Sequence, residues 1–348
     1  MHRVAAVCLV AVLAALPGFA VTADDMPPSF DEMIKLLKLD PSVKEQALGG
    51  EIVVLDPDDS MEKELAIALV MVVKKPYAEV IEAVKRNHLF QFQKDTLDFA
   101  QIEGEPDVSQ FQKIGYSLAE IDEVRGLLAV KAGDKFNLSA EEIARFQALQ
   151  AKAAGLDDAA LLEMVNKALR AFLAERLRIY QETGLKGIAT YQRGRKDTSS
   201  PAEEIAAATA AVADLKNFAP NFYSILQNFP NAKVEGIEHR FFVFKLNIEG
   251  RPGFVLSHRI YFFGANFALS SERHIYVPHF YNSLQIVTGA IPHESNTVVF
   301  YSNRTYTDQV SGFGQSIKHA IGGKQLTKTI KSMLSDMRAG LESGKATP

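Results

Sequence analysis

The apolar residues of the chain change their spacing near residue 218, and this change most constrains the fold. Before it they recur at helical spacing, and after it they alternate along extended segments. The second pattern predicts strands at residues 239–248, 253–263, 273–277, 283–291 and 297–310, with turns at 249–252 and 292–296. Several consecutive strands joined by short turns form an antiparallel sheet. The sequence therefore predicts an antiparallel sheet in the last third of the chain.

Residues 253–263 carry apolar side chains on both faces of their predicted strand. One parity holds Phe254, Leu256, His258, Ile260 and Phe262, and the other holds Val255, Ser257, Arg259, Tyr261 and Phe263. In a strand with one face in solvent, every second side chain is polar. Neither of these two sets of alternate residues is polar throughout. We expect this strand to be covered on both sides or to line a pocket.

Residues 218–313 hold 13 of the 22 Phe, 6 of the 10 Tyr and 5 of the 8 His, so this region is the expected site of any ligand or chemistry. The candidate ligand-binding residues are its polar members on the predicted strands: His258, Arg259, Tyr261, Glu272, His274 and Arg304. Arginine can bind a ligand carboxylate or phosphate through two parallel hydrogen bonds. Surface ion pairs are the plainer interpretation of both arginines, and a hydrogen-bonded core residue is the plainer interpretation of His258.

Residues 117–216 are rich in Ala, Leu, Glu and Arg and predict a helical block. Capping boxes mark helix starts at Ser117, Ser139 and Ser200, and a long helix is predicted at residues 158–183. A closing helix is predicted at residues 314–342, with a kink or interruption at Gly322-Gly323. Residues 64–73 are apolar enough for a strand or part of a helix, and the exposed connection at 192–200 is polar.

The first residues have the composition of an export signal. His2 and Arg3 precede an apolar run at 4–16, and small residues before position 24 predict cleavage after Ala23. The run is too short to cross a bilayer, which needs about 20 residues. We therefore expect a periplasmic or secreted protein without a transmembrane segment.

The only cysteine, Cys8, lies inside this signal, so disulfides, thiolate metal sites and a Cys nucleophile are excluded for the processed chain. That chain has 37 basic against 42 acidic residues, which gives no support for nucleic-acid binding. The predicted parts are the signal at 1–23, a strand and helix part at 24–116, the helical block at 117–216, and the sheet with its closing helix at 217–348. The oligomeric state does not follow from the sequence.

Three kinds of function remain open from these residues. One is a binding protein for an apolar molecule, and another is an enzyme using His258, Glu272 and His274. Glu272, His274 and His279 lack a diagnostic metal-ligand spacing, so no metal or other cofactor is predicted, and no nucleophile motif supports catalysis. The third is a scaffold protein of the cell envelope, which would need an uncovered apolar stripe on the helix at 158–183.

Four segments carry a resemblance. They read YQETGLKGIATYQRG at 180–194, RPGFVLSHRIYF at 251–262, HFYNSLQIVTGAIPH at 279–293 and YSNRTYTDQVSGFGQSIKHAIGGK at 301–324. Over residues 180–330 the chain resembles a family of exported proteobacterial proteins, from which no catalytic residue carries over. The order of elements is also similar to that of helix-grip or START-like lipid-binding proteins, with the helical block as an insertion. This similarity implies an α+β fold in which a curved antiparallel sheet and a long C-terminal helix enclose a lipid or aromatic ligand.

Overall fold

An antiparallel sheet of eight strands forms the centre of the protein in a computed structural model, which describes residues 28–86, 94–133, 135–311 and 314–344. The strands in chain order are β1 (Val53–Leu55), β2 (Glu64–Val73), β3 (Thr96–Ile102), β6 (Ile237–Ile248), β7 (Arg251–Phe263), β8 (Ala268–Tyr276), β9 (Ser283–His293) and β10 (Asn296–Tyr306). They lie in the order β1-β2-β10-β9-β8-β7-β6-β3. A separate hairpin consists of β4 (Tyr191–Gln192) and β5 (Thr198–Ser199). The predicted signal at 1–23 lies outside the described residues.

The predicted strands of the last third are confirmed, with changes at their ends. β8 begins at Ala268, earlier than expected, and β10 ends at Tyr306 before a short 3-10 turn at Asp308–Val310. Residues 64–73 form a strand with most of its side chains buried. β3 was not predicted, because apolar residues such as Leu97 and Phe99 are exposed along this edge strand.

The described helices are α1 (Phe30–Leu36), α2 (Ser42–Leu48), α3 (Tyr77–Lys85), α4 (Ile121–Leu128), α5 (Ala140–Ala153), α6 (Asp158–Thr183), α7 (Pro201–Ala211), α8 (Pro220–Asn228) and α9 (Gln315–Glu342). The predicted capping boxes at Ser117 and Ser139 are present, and the Ser200 side chain accepts a hydrogen bond from the Glu203 amide at the start of α7. No helix among the described residues is long and apolar enough to cross a membrane.

α9 packs along β2 and continues through Gly322-Gly323, so the predicted interruption is wrong and a kink there stays a prediction. A Cβ atom at Gly322 would lie 3.3 Å from Leu65 and 3.2 Å from Val310, so this glycine lets the helix approach the sheet closely. Ile330 and Leu334 bury their side chains against the apolar residues of β2. Gly322 therefore serves packing, whereas a Cβ atom at Gly323 would meet no atom within 4 Å.

The sheet curls around α9. Lys94, which precedes the edge strand β3, forms an ion pair of 2.6 Å with Asp336 of α9, although α9 packs on β2 near the opposite edge. Both edges of the sheet thus approach the same helix. The predicted fold class is confirmed: an α+β protein with a curved antiparallel sheet, a long C-terminal helix and an inserted helical block, as in a helix-grip arrangement.

The inserted helices cover the other face of the sheet. The apolar stripe of α6, including Val165, Leu173 and Tyr180, is buried in a large core with residues of β6 to β8. The hairpin β4-β5 lies within the predicted helical block, and Ser199 is buried. Residues 195–198 are exposed, as expected for the connection at 192–200, but near its ends Arg193 and Ser199 bind Asp308. The division of the chain into four parts stays a prediction.

Candidate functional site

A cavity of about 1090 Å³ lies between α9 and the concave face of the sheet. Its sheet wall comes from alternate residues of β6 to β10 and β2, and α3 closes one side. The apolar wall residues include Met71, Val80, Phe244, Leu284, Ile286, Val299, Met333 and Met337. Small-molecule sites in proteins have volumes of roughly 300–1000 Å³. We call this space the helix-side cavity.

A cluster of polar side chains forms part of the cavity wall. Glu272 Oε1 accepts hydrogen bonds from Arg259 Nη2 at 2.9 Å and from Ser257 Oγ at 2.9 Å, and it lies 3.1 Å from His274 Nε2. His274 Nδ1 is 2.8 Å from the Tyr281 hydroxyl. The strand register explains the cluster, since Arg259 pairs with Glu272 and Ser257 pairs with His274 across β7 and β8.

The cluster holds a buried carboxylate in its ionised form. Burial raises the pKa of Glu272, but the charge of Arg259 and the hydrogen bond from His274 outweigh burial, so the pKa of this carboxyl lies well below its ordinary value. The side chain keeps 17% of its surface exposed. Its second oxygen, Oε2, accepts no hydrogen bond from the described residues and is available to a ligand.

Tyr261 is the fourth predicted site residue in this cavity. It lies on β7 with its side chain on the same face as Arg259, and its ring stacks on Phe263 at 5.2 Å between centroids. Burial raises the pKa of its hydroxyl, so the phenol stays neutral. The structure therefore brings Arg259, Tyr261, Glu272 and His274 to one cavity.

His258 lies on the opposite face of the sheet. Adjacent residues of a strand point to opposite sides, so His258 faces α6 while Arg259 faces α9. Its Nδ1 is 2.8 Å from the Tyr180 hydroxyl, and its Nε2 is 3.0 Å from His239 Nδ1. Burial lowers the pKa of His258 well below its ordinary value, with further contributions from His239 and Arg273, so the ring is neutral. His258 is thus the hydrogen-bonded core histidine of the plainer interpretation.

The catalytic set of His258, Glu272 and His274 is not assembled, because the sheet separates the first residue from the other two. His279 does not join them either; it lies 3.4 Å from the Pro252 carbonyl, and burial lowers its pKa to about 4. Among the described residues, no group of three or more His, Cys, Asp or Glu is placed to hold a metal ion.

Arg304 also lies away from the helix-side cavity. It is buried on the other face of β10, where its Nη1 is 3.0 Å from Glu64 Oε1. Arg304 therefore does not line the helix-side cavity, and its ion pair with Glu64 is buried, so the expectation of a surface ion pair was wrong. Its predicted role in ligand binding stays a prediction. The side chain instead borders a smaller cavity on that face.

The scaffold hypothesis required an uncovered apolar stripe on α6. Leu162 of that stripe is partly buried against the core, and the other residues are buried within the protein: Leu161, Val165, Leu169, Phe172, Leu173, Leu177 and Tyr180. Burial of this stripe removes the sequence feature on which the scaffold hypothesis was based.

Three contributions to the helix-side cavity were missed from the sequence. Ser257 and Tyr281 complete the hydrogen bonds of Glu272 and His274, and α9 supplies Lys324 and Lys328 at one side of the cavity. Ser257 has the same strand parity as Arg259, which is a signal that could have identified it. Tyr281 follows β8 in a turn, and only the fold brings it to His274.

Comparisons with known proteins add little. No family model matches the chain, and no curated protein matches it. The crystal structure of Ara h 8.0201 matches at 10% identity and a TM-score of 0.23, over 41% of this chain and 90% of that chain. A likeness at that TM-score carries no argument about function. The resemblance to exported proteobacterial proteins stays a prediction.

Proposed function

We propose that this protein binds one amphipathic molecule, a lipid or an aromatic compound of similar size, in the helix-side cavity. The observation that carries the proposal is a large cavity with mainly apolar walls and the buried polar cluster around Glu272. Apolar walls favour a hydrocarbon or ring system, and a few placed polar groups fix its orientation. The composition of residues 1–23 supports a periplasmic or secreted location for this binding.

The polar cluster favours a ligand that donates a hydrogen bond and carries no negative charge. Arg259 already neutralises Glu272, so a second anion would find no unpaired positive charge beside the carboxylate. Glu272 Oε2 can accept a hydrogen bond, for example from an alcohol. We therefore expect a long-chain or polycyclic alcohol to bind more tightly than the matching carboxylic acid.

The first test is native mass spectrometry of the protein purified from its own cell envelope, before and after extraction with organic solvent. The expected result is a bound apolar molecule that extraction removes. A protein that carries no such molecule and binds no 1-N-phenylnaphthylamine afterwards would contradict the proposal.

A pair of variants on β9 locates the binding. Thr288 lines the helix-side cavity, and Gly289 lines the smaller cavity on the other face. Thr288→Phe should weaken binding of 1-N-phenylnaphthylamine by tenfold or more because the ring projects from the sheet wall into the cavity, and Gly289→Leu should leave it unchanged. Displacement of the probe by decanol at lower concentration than by decanoate tests the proposed role of Glu272.

A further inference from the structure

The outer side of α9 carries a row of exposed side chains. Ile317 and Ile321 are 70% and 61% exposed, which makes them the most exposed large apolar side chains among the described residues. Lys324, Lys328 and Lys331 are exposed as well. Successive members of this row are four, three, four and three residues apart, so they lie along one face of the helix. We call these five residues the α9 stripe.

The α9 stripe lies in a part of the chain that carries positive charge only. Residues 315–335 include four lysines and no aspartate or glutamate, and the first acid of the helix is Asp336. The processed chain as a whole has more acids than bases, so this local excess is opposite in sign to the net charge. Within the described part of the chain, Lys324, Lys328 and Lys331 form no ion pair. Their charges are therefore available to an anionic partner.

A polar helix face in solvent would account for the lysines but not for the two isoleucines. A helix that packs on a sheet buries one apolar face and carries polar residues elsewhere. α9 already buries Ile330 and Leu334 against the sheet. Ile317 and Ile321 are neighbours one turn apart outside that buried face, and they extend the row of lysines. The α9 stripe thus combines an apolar end with a basic end.

The α9 stripe also borders the helix-side cavity. Ile321, Lys324 and Lys328 belong to its lining. Because the same three side chains are exposed to solvent, the cavity reaches the surface of the protein beside them. A partner seated on the α9 stripe would lie at this opening.

An anionic lipid bilayer matches both ends of the α9 stripe. Lysines near such a surface are attracted by the lipid headgroups, and apolar side chains enter the boundary between headgroups and acyl chains. The stripe is about 21 Å long at 1.5 Å per residue but only one side chain wide. A stable protein partner needs roughly 20–30 residues on each side of an interface. A bilayer surface needs no such complementary shape, so the narrow stripe favours it.

We propose that the α9 stripe docks the protein on an anionic lipid bilayer. Ile317 and Ile321 enter the acyl boundary, and the lysines lie at the level of the lipid phosphates. This docking does not rest on the function proposed for the helix-side cavity. Where both hold, the opening of the cavity lies at the bilayer, and an amphipathic ligand passes between them without crossing water.

The first test is flotation of the full processed chain with two kinds of vesicle, phosphatidylcholine alone and equal parts of phosphatidylcholine and phosphatidylglycerol. Binding to the anionic vesicles should be at least tenfold tighter, and added salt should weaken it. Each lysine near the surface contributes roughly fivefold to binding, so the double variant Lys324→Gln, Lys328→Gln should weaken it by tenfold or more. The matched control is Lys152→Gln, Lys167→Gln, which removes the same charge from exposed positions on α5 and α6 and should change binding by less than about twofold.

A fluorescent label tests insertion of the apolar end. The processed chain contains no cysteine, so Ile321→Cys takes a single environment-sensitive nitrobenzoxadiazole label. Its emission should shift to the blue when anionic vesicles are added. The control is the same label on Leu118→Cys, since Leu118 is 55% exposed and lies among the inserted helices. Its emission should not change.

The variant Thr288→Phe separates docking from ligand uptake, because its ring projects into the helix-side cavity and leaves the α9 stripe unchanged. It should bind anionic vesicles as wild type does. Loss of vesicle binding in this variant would show that uptake of lipid into the cavity holds the protein on the vesicle, which overturns the proposal.

Three further results would overturn it: equal binding to both kinds of vesicle, equal weakening by the two lysine pairs, or no blue shift at position 321 in vesicle-bound protein. Binding to soluble polyaspartate as tight as to anionic vesicles would indicate an acidic protein partner and would also overturn it. If vesicle binding fails while 1-N-phenylnaphthylamine still binds, docking is wrong and the function proposed for the helix-side cavity stands. The two proposals are therefore distinguishable.

Discussion

The two faces of the sheet accommodate a buried arginine in opposite ways. Arg259 and Glu272 form one register pair of β7 and β8 and face the helix-side cavity, while the next pair, His258 and Arg273, faces the inserted helices. Arg259 has a carboxylate partner at 2.9 Å. Arg273 is fully buried and donates instead to neutral acceptors, namely Gln285 Oε1, Thr209 Oγ1 and the Leu226 carbonyl.

The face of the sheet with Arg273 is packed against the inserted helices, whereas the face with Arg259 borders the helix-side cavity. The charge of Arg273 contributes to the lowered pKa values of His239 and His258, after burial as the largest cause, so the packed face holds its histidines neutral. The charge of Arg259 is balanced within its own cluster, and that cluster borders a cavity. Two adjacent residues of one strand therefore have unrelated roles.

The largest effect on stability should come from removing one partner of the ion pair between Arg259 and Glu272. Glu272→Gln leaves Arg259 buried without a counter-charge, and we expect the free energy of unfolding at about pH 7 to fall by about 3–5 kcal/mol. The pKa of Glu272 is lowered by folding, so its stabilisation is present above its ordinary pKa of 4.5 and is lost as the pH falls. Urea unfolding of both proteins at several pH values measures the difference.

The difference between wild type and Glu272→Gln should therefore shrink in acid. The control is the double variant Arg259→Met, Glu272→Gln, which removes both charges and should be more stable than Glu272→Gln alone. A difference that does not change with pH would show that the ion pair contributes no stability.

Core packing gives the next comparison. Leu173 of α6 is fully buried on the packed face, whereas Met333 of α9 is partly buried and borders the helix-side cavity. Leu173→Ala should lower the free energy of unfolding by about 3–4 kcal/mol, and Met333→Ala should lower it by about 1 kcal/mol. The second loss is smaller because a residue beside a cavity has fewer contacts to lose. Thermal and urea unfolding measure both. Equal losses would mean that the helix-side cavity is as tightly packed as the core.

Glu204 should show the opposite pH dependence from Glu272. It lies on α7 beneath the sheet, where burial raises its pKa to about 7 despite hydrogen bonds from Ser283 and Asn282. The folded state therefore holds a proton that the unfolded chain releases near 4.5, so the contribution of Glu204 to the free energy of unfolding should fall by up to about 3 kcal/mol as the pH rises from 4.5 to about 7.

Glu204→Gln keeps an amide that can bond both neighbours, and it should remove this slope. Urea unfolding of both proteins from about pH 4 to 8 measures the difference in their free energies of unfolding, in which the contributions of His239, His258 and His279 cancel because both proteins contain them. If the free energy of unfolding of wild type minus that of Glu204→Gln does not fall between about pH 5 and pH 7, the assignment is contradicted.

The smallest effect should come from the ion pair of Lys94 and Asp336. Both side chains are largely exposed, so Lys94→Ala should change stability by less than about 1 kcal/mol. It should nevertheless speed release of 1-N-phenylnaphthylamine, because the pair joins α9 to the opposite edge of the sheet. Arg178→Ala, which breaks an exposed pair on α6, is the matched control and should leave the release rate unchanged.

Local sequence patterns predicted much of the fold, but they predicted only part of the candidate site. The helix at Asp158–Thr183 was predictable because its apolar spacing and its ends are local signals. The apolar run at residues 64–73 allowed either a strand or part of a helix, and only its place in the sheet distinguishes them. The two covered faces of β7 were predictable from strand parity. Parity also places His258 and Arg259 on opposite faces, which the predicted ligand set did not use.

The contacts that the sequence did not predict depend on the register between neighbouring strands and on the meeting of segments that are distant in the chain. Pairing of Arg259 with Glu272 requires the turn between β7 and β8, and the length of that turn was not evident, since β8 begins five residues earlier than predicted. The ion pairs of Asp308 with Lys63 and Arg193 join three distant segments. No local pattern encodes such a meeting point.

Small residues separate the two cavities. Ala268 and Ala290 form a register pair and line both spaces, and Leu269 pairs with Gly289 beside them. At this place the wall is little more than the backbone of two strands. A molecule that alters the twist of β8 or β9 from one side alters the boundary of the other side as well. By linkage, a ligand in the helix-side cavity that shifts this partition must bind with a different affinity when the packing on the other side changes, so the sheet links one binding equilibrium to the core on its far face.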